Sequence, residues 1–70
     1  MDMYVQCKFK NENSETTAWI PEEGAEVGKS MLFKGDDDKK RWTVVEVFNA
    51  TKMSKRDLDS KRYNVFESIK

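Results

Sequence analysis

The run Trp42-Thr43-Val44-Val45-Glu46-Val47-Phe48 constrains this chain more than any other stretch. Its four β-branched residues, Thr43, Val44, Val45 and Val47, lie between two aromatics. Such residues fit a pleated, packed surface better than a helix. Alternation puts Trp42, Val44 and Phe48 on one face and Val45 and Val47 on the other, with only Thr43 and Glu46 interrupting. A strand apolar on both sides needs neighbours on both sides, which places it centrally in a curled sheet.

Other strands follow from the same period of two. Met3, Val5, Cys7 and Phe9 form one apolar face, with Tyr4, Gln6, Lys8 and Lys10 opposite. The turn-prone Asn11-Glu12-Asn13-Ser14-Glu15 leads to a second strand, Thr16 to Ile20, ended by Pro21, which has no N–H for a ladder. An acidic loop, Glu22 to Glu26, precedes a third strand, Ser30 to Lys34, with Gly28 allowing the chain to bend onto the sheet. Gly35-Asp36-Asp37-Asp38-Lys39-Lys40-Arg41 reads as a long hairpin connection. Beyond the valine-rich strand, Asn49 to Met53 reads as a loop. Ser54 then caps a short helix, with Asp57 at its third position, running to Lys61 or Arg62. Tyr63 to Ile69 reads as a last strand. No repeat or linker divides the chain, so residues 1–70 form a single small domain.

Five short strands and a helix before the last describe an all-β chain with one short helix: a small five-stranded SH3-like barrel. A five-stranded OB barrel is the runner-up, but its helix falls between the third and fourth strands, whereas here it follows the fourth.

Composition excludes several classes of function. There is no histidine and one cysteine, so no internal disulfide forms, and a zinc-type site lacks ligands. Cys7 lies in an apolar stripe with no histidine to activate it, and reads as a small core residue. Ser14, Ser30, Ser54 and Ser60 have no base partner, and Asp36 with Asp38 sits at an exposed tip. Gly28-Lys29-Ser30 resembles part of a phosphate-binding loop, but that loop needs a glycine where Glu23 stands and a helix where a strand follows. Glu22, Glu23 and Glu26 lack calcium-loop spacing. Hence no enzyme, cofactor or metal is expected. No apolar run reaches the ~20 residues of a membrane span. A free thiol without a signal-like N-terminus fits the cytoplasm.

What remains is binding by surface contact. Eight aromatics exceed what one small barrel buries, and exposed aromatics anchor interfaces. The candidate surface is Trp19, Pro21, Lys39, Lys40, Arg41 and Trp42, weighed against a reading of both tryptophans as core and the charge run as a solvated tip. The first reading is a protein-binding module. Edge strands of an unclosed barrel would also allow a homodimer. The second is single-stranded nucleic-acid binding, with Lys8, Lys10, Lys34, Lys39, Lys40 and Arg41 beside Tyr4 or Trp42. Thirteen Lys and Arg balance thirteen Asp and Glu, which disfavours that second reading.

One resemblance spans about Ala18 to Phe48. Trp19-Ile20-Pro21, Val27-Gly28-Lys29, Leu32-Phe33-Lys34 and Trp42-Thr43-Val44-Val45-Glu46-Val47 resemble small uncharacterised bacteriophage proteins with a W-x-P, V-G-K, L-x-L, W-x-V-x-E-V pattern. Many of those end in an Arg-rich tail, which this chain replaces with Arg62-Tyr63 to Lys70. The resemblance implies a phage-encoded protein acting in the bacterial host cytoplasm. It implies no chemistry and supplies no function. The small size, neutral charge and many aromatics are what suggest an inhibitor or adaptor of a host protein, or a self-assembling accessory subunit.

Overall fold

The computed structural model describes residues 3–33, 41–66 and 68–69. β1 (Met3–Lys10) and β2 (Glu15–Pro21) form an antiparallel hairpin with Tyr4 opposite Pro21 and Lys10 opposite Glu15. Its turn is tied by Asn11. The side-chain Oδ1 accepts from the N–H groups of Asn13 and Ser14, both at 2.9 Å, and the Asn11 N–H donates to the Ser14 carbonyl at 3.0 Å. Pro21 closes β2 as expected and leads into a 3-10 turn, Glu22–Gly24.

The chain then turns through Gly28, whose φ of 94° lies where a side chain is strained, and its N–H donates to the Val44 carbonyl at 2.8 Å. β3 (Ser30–Phe33) follows, then β4 (Trp42–Ser54). The sheet order is β2-β1-β4-β3, with the two-residue β5 (Ser68–Ile69) on the outer edge of β3. The core lies on one face: Val5, Cys7 and Phe9 of β1, Ala18 and Ile20 of β2, Phe33 of β3 and Val44 of β4. Phe9, Phe33 and Phe66 stack inside it, Phe9 edge-on to Phe33 at 5.1 Å and Phe33 tilted on Phe66 at 4.6 Å.

The expected five-stranded SH3-like barrel is not formed. Four antiparallel strands make one open sheet with a short helix. Closure requires a continuous ladder from the C-terminal strand back to β2. Among the described residues that seam is one parallel bridge, Trp19 to Val65. β3 also pairs with β4 over only two residues, Ser30 with Thr43 and Met31 with Trp42. The expected last strand, Tyr63 to Ile69, is reduced to that bridge and β5.

β4 departs from expectation in two further ways. Asn49 to Met53 is not a loop: the strand runs through it, and Met53 and Ser54 pair with Tyr4 and Met3. The inner face also switches. Phe9 pairs with Val44 but Lys8 pairs with Glu46, so Val45 is a bulge, 38% exposed. Past it, Val47 joins the core opposite Cys7, and Phe48 moves to the Gln6 side. The alternation read from sequence put Phe48 with Val44, because a period of two does not reveal an extra residue. The expected hairpin connection and Lys34 fall mostly on residues 34–40, outside the described residues.

α1 (Lys55–Lys61) begins as read: the Ser54 hydroxyl accepts from the Asp57 N–H at 3.3 Å. Seven residues make a marginal helix, and Leu58, 0% exposed, fixes it to the sheet. Lys55 pairs with Asp59 one turn on, at 3.0 Å. The helix stops in a Schellman motif: the Tyr63 N–H reaches the Leu58 carbonyl and the Arg62 N–H the Asp59 carbonyl, at 3.1 and 3.2 Å. Glycine usually takes the left-handed position of this motif. Here it is Arg62, at φ 58°, which costs roughly 1–2 kcal/mol. Replacing the N-cap by Ser54→Ala is expected to lower stability by about 1 kcal/mol, read as a shift in the urea midpoint at unchanged slope.

Candidate functional site

Two surface features emerge. The first is a groove of about 420 Å³ where the end of β2 and the 3-10 turn face β3. That volume is within the ~300–1,000 Å³ of ligand pockets, so the groove admits side chains and is not a flat surface. Ile20, Pro21, Met31, Leu32 and Phe66 supply its apolar lining, while Glu23, Lys29, Ser30 and Arg41 give it polar edges. Among the described residues β3 pairs with β4 at Ser30 and Met31, and Met31 and Leu32 line the groove half-buried. Lys29 and Arg41 are exposed, and neither side chain is in an ion pair among the described residues.

The sequence-derived surface is thus divided. Pro21 and Arg41 meet in the groove. Trp19 is core, 5% exposed. Trp42 is half-buried against the core cluster. Lys39 and Lys40 lie outside the described residues. The basic face proposed for nucleic acid is largely neutralised. Lys8 pairs with Glu15 and Glu46 at 3.8 and 4.0 Å, and Lys10 with Glu15 at 3.5 Å. Tyr4, in register with Met53, is half-buried. Lys34 also lies outside the described residues.

The second feature was not read from the sequence. Tyr63 stacks on Trp19 with ring centroids 5.7 Å apart and planes within 2°. The backbone fixes this pair. The Trp19 N–H donates to the Asn64 carbonyl at 3.0 Å, and the Phe66 N–H donates to the Trp19 carbonyl at 2.9 Å. The Schellman motif sets Tyr63 from the other side. Tyr63 remains 45% exposed, and Lys61 Nζ lies 6.0 Å from its ring centroid. The available signal was an arginine, not a glycine, directly after a helix end and before an aromatic.

Ionisable chemistry is sparse. Among the described residues no group of three or more Cys, Asp or Glu could hold a metal ion. Burial pushes the Cys7 thiol up to about 11. Among the described residues no helix is long and apolar enough to cross a membrane. Compared with family models, curated proteins and solved structures, the chain matches none.

Cys7 should react with a thiol reagent only through unfolding, giving labelling rates that follow denaturant and not reagent basicity. Because its folded pKa is raised above 9.0, the neutral thiol stabilises the fold at lower pH, and this contribution falls away as pH rises from 9.0 through about 11. Cys7→Val should flatten that loss in thermal melts taken across the range.

Proposed function

We propose that this protein is a non-catalytic protein-binding module that takes an extended segment of a partner protein in the groove between β2 and β3. The groove itself carries the reading: an apolar floor with Lys29 and Arg41 at its edge, neither in an ion pair among the described residues, and Glu23 beside them. Among the described residues two cations stand against one carboxylate, which favours a segment that combines an apolar anchor with an acidic residue, since complementary charge selects partners and speeds encounter. The open top of the floor, half-buried Met31, Leu32 and Phe66, supplies the contact area. The resemblance to small bacteriophage proteins supports a phage-encoded module working in the bacterial host cytoplasm, and the chain's small size and neutral charge suit an inhibitor or adaptor of a host protein.

Selection from a random-peptide library on immobilised protein tests this. Recovered peptides should share an apolar residue next to an acidic one. Arg41→Glu should weaken them about tenfold, on the scale of one charge-assisted contact. Ser30→Trp, which fills the groove from an exposed position, should abolish binding at an unchanged melting temperature. Peptides that bind both variants as well as the parent would refute the groove as the site.

A further inference from the structure

The geometry points to a second, independent surface: Tyr63, backed by Trp19 and flanked by Lys61 and Arg62, is a stacking platform for a base of single-stranded nucleic acid. This surface lies outside the lining of the groove and does not rest on the reading given for it.

Three observations converge. The indole of Trp19 stacks parallel to the Tyr63 ring, with planes within 2° and centroids 5.7 Å apart, Lys61 Nζ lies over the ring at 6.0 Å, and Tyr63 remains 45% exposed. An exposed aromatic ring with a cation beside it is what a base stacks on, and it tolerates any base. Next, the backbone that carries the ring is fixed before any ligand arrives. The two backbone bonds at Trp19 and the helix-ending bond from the Tyr63 N–H hold it from both sides. The ordering cost of binding is therefore lower than for an aromatic on a loose segment.

The third observation is charge. Lys61 and Arg62 adjoin Tyr63 in sequence, and neither is in an ion pair among the described residues. Of the cations earlier in this segment, Lys52 is paired with Glu22 and Lys55 with Asp59, while Arg56, like Lys61 and Arg62, is in no ion pair among the described residues. Arg62 moreover occupies a left-handed backbone position that glycine would fill with less strain. A strained non-glycine residue whose guanidinium is in no ion pair among the described residues, beside an exposed ring, is the pattern of a residue kept for its side chain. Lys61 and Arg62 can take the phosphates flanking the stacked base.

Fluorescence anisotropy with oligo(dT) and oligo(rU) of roughly twelve nucleotides, and a duplex of equal length, tests the proposal. Both single strands should bind in preference to the duplex, with log K falling against log salt at a slope of about −1.4, as two cations require. Tyr63→Phe should bind as the parent does. Tyr63→Leu should weaken binding about ten- to a hundredfold. Arg62→Gly should reduce the slope by about 0.7 without lowering the melting temperature, because glycine suits that backbone. Photocrosslinking of the unaltered protein to an iodouracil-bearing strand should mark Tyr63, which keeps the test valid even if Tyr63→Leu does not fold. Absence of salt-sensitive binding, equal binding of duplex, or a crosslink elsewhere would each overturn it. Peptide capture by the groove is read separately, so either result stands without the other.

Discussion

The structure depends on β1 being paired along its length on both sides. Its inner residues Val5, Cys7 and Phe9 are each 0% exposed, because β2 and β4 flank the strand and Phe33 and Phe66 close over it. A chain of 70 residues has few places to bury apolar area, and this stripe is where it does so. Cys7 belongs to that logic: a small side chain between Val5 and Phe9, kept protonated by its surroundings. The valine-rich run of β4 packs onto β1. It does not organise the sheet, since beyond Val44 it lacks a second neighbouring strand among the described residues.

Much of this was legible locally. β1, β2 and β3 were found from alternation and turn residues, and the Ser54 cap from its spacing to Asp57, because these signals act within a few residues. The long-range features were not. The bulge at Val45 has no mark in the sequence, since Val44 and Val45 are chemically alike and only the register against Phe9 and Lys8 separates them. Barrel closure was inferred from the number of strands. It fails because, among the described residues, pairing between β3 and β4 stops after Met31 and the C-terminal seam holds at one bridge. The candidate surface was legible only in part. Pro21 and Arg41 are distant in sequence and meet only when β2 and β3 face each other, whereas Trp19, which the sequence left open between surface and core, is buried and stacked on Tyr63.

Charge is also distributed by position more than by amount. A net charge of zero hides two different surfaces. On the outer face of β1, lysines meet glutamates across three strands, pairs that are exposed and contribute little to stability. Near the groove and after α1, Lys29, Arg41, Lys61 and Arg62 have no such partner among the described residues. Balance over the whole chain therefore says little about what any one patch attracts.

The ladder between β1 and β4 carries spare length. Gln6 faces Phe48, yet Tyr4 faces Met53, three residues further on than an even ladder would place it. Residues Asn49 to Lys52 are exposed, and the Thr51 hydroxyl folds back on the Phe48 carbonyl at 3.0 Å. The excess already bulges from the ladder within β4, so lengthening it adds only about 0.6 kcal/mol per doubling and leaves both flanking registers in place. This stretch is a natural splice point, where a tag, a fluorophore-bearing insert or a new recognition loop can be grafted without disturbing β1.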